Sequence, residues 1–221
     1  MKPTVIFDVN ETLLDLSPVR EWFTERFSND VTAAAWFSEL LRLSFVSATV
    51  DRYVPFPNLA RAALQTVAAT AGHQTSEEDL VHIGGILASL PPHTDAAPGL
   101  QVLRDAGYLT TALTNSPLAT AEAQLTEAGL ADLFDTIMSV DMVLRFKPHA
   151  TVYQAAAEKL GTETERLTMV AAHDWDIAGA MAAGLSGVFV ARPGATYSPA
   201  FLPPTMVASD ILDAAHLIIG S

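Results

Sequence analysis

The sequence of 221 residues has no cysteine, few basic residues and no long apolar run. The missing cysteines exclude a disulfide framework, a thiolate metal site and a cysteine nucleophile. Only 12 lysines and arginines stand against 25 aspartates and glutamates, which gives a net charge of −13. Nucleic acids and anionic membrane surfaces bind to clustered positive charge, so we expect neither as a partner.

The apolar stretches are short, although 50% of the residues are hydrophobic. Two of the longest, Val67 to Ala71 and Ala178 to Ala183, fall far below the roughly 20 residues that cross a bilayer. After Lys2 a brief apolar run reaches Asp8, which is unlike a secretory signal peptide. We therefore expect an acidic globular protein of the cytoplasm.

Short β-branched and aromatic runs alternate with helical patterns along most of the chain. The predicted strands span residues 4–7, 108–114, 136–140, 167–172 and 187–191, with 206–208 as a further candidate. Ser116 and Pro117 are expected to cap and open one helix, and Gly161 and Gly184 to follow the ends of two others. Strands that alternate with helices in this way predict an α/β fold with a parallel sheet.

Residues 17–92 interrupt this alternation. The segment opens with Ser17 and Pro18, continues with apolar residues at helical spacing and contains no convincing buried strand. It ends in a loop rich in proline. We predict that residues 1–16 and 93–221 form a three-layer, Rossmann-like core domain, and that residues 17–92 form a helical cap inserted after the first strand.

Polar clusters follow four of the predicted strands. They are Asp8 to Thr12, Thr114 to Ser116, Lys147, and His173 to Asp176. In an open parallel sheet, ligands bind beyond the carboxyl ends of the strands, so these clusters predict a shared site.

Together these segments resemble the four sequence motifs of the haloacid dehalogenase superfamily. The matching segments are residues 7–15, 113–116, 146–148 with Val152 and Tyr153, and 171–176. Within the superfamily, residues 51–56, 139–141, 147–148 and 175–176 resemble the type II 2-haloacid dehalogenases. The resemblance covers nearly the whole chain and implies the same core and helical cap.

The resemblance implies a reaction through a covalent ester. Asp8 is then the nucleophile, Thr12 holds it in place, and Lys147 keeps it ionised. Asp176 orients Lys147 or the hydrolytic water. The substrate, a small organic anion, is expected to contact a second group of residues: Asn10, Phe37, Arg42, Thr114, Asn115 and Tyr153. Tyr153 is also expected to support the site from behind.

The departures from the superfamily pattern decide between chemistries. Its phosphatases need a second acid two residues after the nucleophile and a further carboxylate for magnesium, where this chain has Asn10 and the pair Ala171 and Ala172. We therefore expect metal-free hydrolysis of a carbon–halogen bond in a short 2-haloalkanoic acid, without a cofactor. A Mg²⁺-dependent small-molecule phosphatase and a catalytically weak homologue that binds small anions stay open as alternatives.

The chain also departs from the well-studied dehalogenases. These carry a cap arginine directly after a tryptophan, whereas here Trp36 is followed by Phe37, so Arg42 becomes the candidate to face the halide. They have serine and asparagine where this chain has Ala171 and His173. We hypothesise that His173 acts as general base in ester hydrolysis. The family further suggests a homodimer.

Overall fold

A computed structural model describes residues 2–28 and 31–221, and within them six parallel strands form one sheet in the order β3-β2-β1-β4-β5-β6. The four residues of β1 are all buried, as expected for a strand with helices on both faces. The strands are β1 (Thr4–Phe7), β2 (Leu109–Thr114), β3 (Thr136–Ser139), β4 (Leu167–Ala171), β5 (Ser186–Val190) and β6 (Met206–Ala208). The α/β class and the six predicted strands are confirmed, with shifts of about one residue at their ends.

The same residue ranges contain nine α-helices, and five of them follow or precede strands of the sheet. These are α5 (Ala96–Asp105), α6 (Leu118–Glu127), α7 (Ala150–Leu160), α8 (Asp174–Ala182) and α9 (Ile211–Ile219). Helices α5 and α9 pack together beside β2, β5 and β6, and α8 packs on β4 and β5. Gly161 follows α7 in the left-handed conformation, as the sequence predicted.

The start of α6 differs from the prediction. Ser116 does not cap this helix, which begins at Leu118. Instead the Leu118 N–H donates to Oδ2 of Asp141 at 3.1 Å, from the turn that follows β3. A carboxylate at a helix N-terminus interacts more favourably with the helix dipole than a hydroxyl does, and a residue distant in sequence supplies it here.

Four helices lie between β1 and α5, and the described part of residues 17–92 contains no strand of the sheet. They are α1 (Ser17–Phe27), α2 (Ala33–Thr49), α3 (Phe56–Thr70) and α4 (Glu77–Ala88). Arg26 joins α1 to α4 through an ion pair with Asp79 at 2.7 Å. Trp36 joins α2 to α3 by donating from Nε1 to the Ala60 carbonyl at 2.9 Å. None of these four helices is long and apolar enough to cross a membrane, and the same is true of the other described helices.

The chain enters and leaves this helical segment along one path. The Asp15 N–H donates to the Pro91 carbonyl and the His93 N–H to the Leu13 carbonyl, each at 2.8 Å. The two chain segments that enter and leave the helical region are thus hydrogen-bonded to each other, as expected where a domain is inserted into another. The division at residues 16/17 and 92/93 into cap and core domains stays a prediction, which these contacts support.

Close packing of α8 fixes the segment that carries Lys147. A Cβ atom added to Gly179 would lie 2.3 Å from Cβ of Pro148 and 2.8 Å from its carbonyl oxygen. Only glycine therefore lets α8 approach the backbone next to Lys147 this closely.

We predict that Gly179→Ala lowers the free energy of unfolding by about 1–3 kcal/mol, because the added methyl group forces the 147–148 backbone away from α8. Urea unfolding followed by circular dichroism measures this. Gly85→Ala is the matched control, since its Cβ would meet nothing within 4 Å on an exposed face of α4. It should stabilise by about 0.5–1 kcal/mol. Equal effects of the two variants would contradict the packing described.

Candidate active site

The carboxyl ends of β1, β2 and β4 place the predicted site residues side by side. Asp8 directly follows β1, and its N–H continues the ladder by donating to the Val170 carbonyl of β4 at 3.1 Å. Asn115 follows β2 and Asp176 lies in the first turn of α8. Lys147 enters from the segment between β3 and α7. The sheet thus brings together residues separated by up to 168 positions in sequence.

The Lys147 ammonium group lies between two carboxylates. Its Nζ is 2.9 Å from Oδ1 of Asp8 and 2.5 Å from Oδ2 of Asp176, and it also donates to the Leu113 carbonyl at 2.9 Å. These contacts use all three donors of the ammonium group. Lys147 and Asp176 are fully buried, and Asp8 is 5% exposed. The lysine cannot be released to solvent without leaving two carboxylates unpaired.

The electrostatics of this group keep Asp8 ionised. Burial alone would raise the pKa of Asp8, but the charge of Lys147 and then the contacts with His173 outweigh burial and hold the pKa well below its usual value. Burial lowers the pKa of Lys147, and the charges of Asp176 and Asp8 more than reverse this. A buried, ionised carboxylate with little hydration is a competent nucleophile.

Two hydroxyl groups fix the orientation of the carboxylates. Thr12 donates from Oγ1 to Oδ2 of Asp8 at 2.8 Å and accepts from the Ala172 N–H at 3.0 Å. Tyr153 donates to Oδ1 of Asp176 at 2.6 Å. Burial and the charge of Asp176 raise the pKa of Tyr153 well above its usual value, so the hydroxyl stays a donor.

The loop after β2 supplies amide and hydroxyl groups to the same edge of the site. Asn115 accepts the Lys147 N–H on Oδ1 at 3.0 Å, which leaves its amide NH₂ group as the donor. Thr114 accepts the Ser116 N–H at 3.1 Å. Asn10 lies beside them, with Nδ2 3.5 Å from Oγ of Ser116, and its buried Oδ1 has no hydrogen-bond partner among the described residues. Of these groups, the Asn115 amide is next to Lys147 and can donate to a small anion.

His173 contacts carboxylates with both ring nitrogens. Its Nδ1 lies 2.9 Å from Oδ2 of Asp8, and its Nε2 lies 3.0 Å from Oε2 of Glu11. Burial would lower the pKa of His173, but the hydrogen bonds and charges of Asp8 and Glu11 raise it to about 10. Two ionised carboxylates can both be satisfied only if both nitrogens donate, so the ring is an imidazolium at neutral pH.

Aromatic rings enclose this imidazolium. Phe37 of α2 stacks on His173 with ring centroids 5.6 Å apart, and Trp175 stacks on it at 5.0 Å. Phe45, also on α2, meets the Trp175 ring edge to face at 5.5 Å. The helical segment therefore covers the nucleophile with apolar rings that limit the access of water.

A cleft of about 730 Å³ opens next to His173. Its lining includes Glu11, Phe37 and His173 but not Asp8, whose carboxylate lies beyond the Nδ1 edge of the His173 ring. Two arginines also line it. Arg20 is 3.9 Å from Glu11, and Arg192 donates to the Thr12 carbonyl at 2.7 Å.

Two sequence predictions need correction. Arg42 was expected to face a leaving halide, but it is exposed and forms a two-point ion pair with Glu39 one helical turn earlier, at 2.6 and 2.7 Å. Phe37 and Phe45 are the α2 residues that contact His173 and Trp175. Tyr153 was grouped with the substrate contacts, but it is fully buried and donates to Asp176. It therefore supports the carboxylate without touching the cleft.

Glu11 and Arg192 were not among the site residues predicted from the sequence. Glu11 belongs to the polar cluster Asp8 to Thr12, and its proximity to the proposed nucleophile was the available signal. Arg192 follows β5 as the first basic residue beyond that strand. No pattern in the sequence connects it to Thr12, because the contact depends on the sheet order.

The donors between Asp8 and Asp176 do not fit a magnesium ion. Mg²⁺ requires free carboxylate oxygens, but the facing oxygens of these residues hold the Lys147 ammonium group. The carboxylate of Asp174, another acid in the cluster His173 to Asp176, accepts the Trp175 N–H at 2.7 Å and the Ser198 N–H at 3.3 Å. Within residues 2–28 and 31–221, no three potential metal ligands converge.

Known proteins share this arrangement of sheet and helices. The sequence model of the haloacid dehalogenase-like hydrolase family matches residues 2–184 of this chain. An (S)-2-haloacid dehalogenase of Xanthobacter autotrophicus is 32% identical over 196 residues, which cover 87% of this chain and 76% of that protein. One from Pseudomonas fluorescens is 24% identical over 98% of this chain and 96% of its own length.

A solved structure extends the likeness to the whole fold. The L-2-haloacid dehalogenase of Xanthobacter autotrophicus with chloropropionic acid covalently bound superimposes with a TM-score of 0.89 at 26% identity, over 100% of this chain and 99% of that one. The match in motifs, in sheet and in helical segment gives one conclusion: the chain belongs to the haloacid dehalogenase-like hydrolases.

Proposed function

We propose that this hydrolase is an (S)-2-haloacid dehalogenase, which replaces the halogen of a short 2-haloalkanoic acid by hydroxyl without a metal ion. The observation that carries the proposal is the Asp8 carboxylate, which a buried lysine holds ionised. Two residues later the chain has Asn10, which cannot act as the acid that protonates a leaving group. The relatives' names and the covalently bound chloropropionic acid in the Xanthobacter structure support the same reaction.

The first half of the reaction forms an ester. An Asp8 oxygen attacks C2 of the substrate, the carbon–halogen bond breaks with its electron pair, and halide leaves. Halide is a weak base and leaves without a proton, so this step does not require an acid at position 10. Lys147 keeps the carboxylate ionised, and Thr12 holds it in position.

The second half of the reaction breaks the ester. Water adds to Cγ of Asp8, the bond to the 2-hydroxy acid breaks, and the carboxylate is regenerated with one oxygen from water. Lys147 lies 2.9 Å from Oδ1 of Asp8, where it stabilises negative charge on the ester carbonyl oxygen as water adds. The Asn115 amide beside Lys147 is the proposed donor to the substrate's own carboxylate.

The site offers less support for the two alternatives, a phosphatase and a homologue that binds small anions without catalysis. A Mg²⁺-dependent phosphatase would need carboxylate oxygens that are bound to Lys147, and a leaving-group acid where Asn10 stands. A homologue that only binds small anions would not require the ion pair between Asp8 and Lys147, yet it is intact. A homodimer and a cytoplasmic location stay predictions from the family and the sequence.

We predict that one turnover of (S)-2-chloropropionate in H₂¹⁸O, with enzyme in excess, places ¹⁸O in the Asp8 carboxylate, because water attacks the ester at Cγ. Peptide mass spectrometry measures the label. Asp8→Asn should form no ester, and Asp15→Asn is the control that should label normally at Asp8. Label found in the lactate product after one turnover, and none in Asp8, would mean that water attacks the substrate directly.

Full dehalogenase activity is expected in EDTA, because no step uses a metal ion. Chloride release from 2-chloropropionate and phosphate release from small phosphate esters, each with EDTA and with Mg²⁺, provide the measurement. Phosphate release that depends on Mg²⁺ and exceeds chloride release would instead favour the phosphatase.

Replacement of Lys147 by methionine should abolish ester formation and lower the free energy of unfolding by about 3–5 kcal/mol, since it leaves two buried carboxylates without their cation. Rapid-quench mass spectrometry and urea unfolding measure the two effects. Lys159→Met, at an exposed position near the end of α7, is the matched control and should change neither. Ester formation at the normal rate in Lys147→Met would contradict the role given to Lys147.

A further inference from the structure

Glu11 has a backbone conformation that side chains rarely adopt. Its φ is +60°, in the left-handed region where glycine is favoured, and this costs free energy unless the surroundings compensate. The conformation places its carboxylate 3.0 Å from Nε2 of His173, in the cleft and one residue before Thr12. A strained residue whose side chain meets an active-site group indicates a functional constraint.

We propose that Glu11 is a positioning residue which, once the Asp8 ester has formed, holds His173 as the general base for the hydrolytic water. The inference rests on the proposed function and deepens it. It joins two residues that meet beside the cleft, His173 and Glu11, of which Glu11 was not among the predicted site residues. A base oriented by a carboxylate on its other nitrogen is a recurrent arrangement in hydrolases.

The two oxygens of Asp8 differ in their surroundings. Among the hydrogen bonds of the described residues, Oδ1 accepts only from the buried Lys147, whereas Oδ2 meets Thr12 and His173, and His173 lines the cleft. Substrate that enters from the cleft therefore meets Oδ2. The ester forms there, and Oδ1 becomes the carbonyl oxygen polarised by Lys147.

The position of His173 favours a role in hydrolysis over a role at the halide. In a displacement at carbon, the leaving halide departs on the side opposite the attacking oxygen. His173 lies on the nucleophile's own side, with Nδ1 2.9 Å from Oδ2. A water that attacks Cγ of the ester must occupy this same region, within hydrogen-bonding reach of Nδ1.

Ester formation changes the charge around His173. Of the two carboxylates that hold the imidazolium, Asp8 becomes neutral and Glu11 stays ionised, so the pKa of His173 falls from its raised value. The ring then releases the Nδ1 proton to solvent through the cleft, while Nε2 keeps its proton and its hydrogen bond to Glu11. Charged groups that face or flank this pair also include Asp174, Lys147, Arg20 and Arg192.

The protons balance over the cycle. His173 releases one proton to solvent in the first half of the reaction, as halide leaves. In the second half Nδ1 takes a proton from water as hydroxide adds to Cγ, and returns it to the alkoxide of the departing 2-hydroxy acid. Ionisation of the regenerated Asp8 carboxyl group restores the imidazolium. The net products are the hydroxy acid, halide and one proton.

The test compares the two half-reactions in Glu11→Gln by rapid-quench intact-mass spectrometry with (S)-2-chloropropionate. We expect ester formation to change less than about threefold and ester hydrolysis to slow about 10- to 100-fold, so that the ester accumulates. The pH at which the hydrolysis rate is half-maximal should fall, because the charge that supports the imidazolium is gone. Glu21→Gln, an exposed position on α1, should match the wild type in all three.

The outcomes separate the inference from the proposed function. Hydrolysis as fast as in the wild type, or equal slowing of both half-reactions with an unchanged pH profile, would overturn the role of Glu11. Absence of any ester in the wild-type enzyme would overturn the proposed function, and with it the roles of Glu11 and His173 in that reaction.

A second measurement does not depend on turnover. In ¹⁵N-histidine NMR spectra, the His173 ring should be doubly protonated in the wild type at pH 8. Its pKa should fall in Asp8→Asn, which imitates the uncharged ester, and in Glu11→Gln. A neutral His173 ring in the wild type at pH 8, or a pKa that neither variant moves, would contradict the inference.

Discussion

The contact on which the site depends is the buried ammonium group of Lys147 between Asp8 and Asp176. Two carboxylates this close would repel each other, and burial would push both toward the neutral acid. One cation with all three hydrogens donated lets Asp8 stay ionised without water. Such a pair offers little net stability compared with an apolar core, so its presence points to a chemical purpose.

The fold is arranged to hold that cation. Strand β1 ends at Phe7 in the middle of the sheet, so Asp8 emerges between the ends of β2 and β4, and loops on both sides reach it. Lys147 follows β3, two strands away, and needs its backbone fixed from two directions. Asn115 accepts the Lys147 N–H, and Pro148 packs against the Cα of Gly179, where a side chain would leave no room for it. Substitution at Gly179 would therefore act on the charge pair through packing.

The sequence predicted those parts of the site that depend on one residue's place after a strand. Asp8 and Thr12 follow the end of β1, Asp176 lies in the first turn of α8, and Lys147 belongs to the motif at residues 146–148, so the order of these segments along the chain predicts that they lie together. Contacts between distant loops could not be predicted in this way. Asp141 in place of Ser116 at the start of α6 depends on which side chain the tertiary structure brings within reach. The ion pair of Arg42 with Glu39 is local, three residues apart on α2, and that spacing was a signal for it in the sequence.

The positive charges of the site fall into two kinds once Glu11 and His173 are considered together. Lys147 keeps its contact with the Asp176 carboxylate when the proposed ester neutralises Asp8, so we expect its charge to persist through the reaction. An arginine, too, would stay charged throughout, because its guanidinium group keeps its proton in proteins. The imidazolium of His173 depends on Asp8 for part of its support, and the proposed ester removes that part. Phe37, at the position of the expected cap arginine, stacks on this ring. In the proposed mechanism, the imidazolium of His173 can therefore lose its proton beside the ester and accept one from the attacking water. An arginine at this place would stay protonated and could not act as a base.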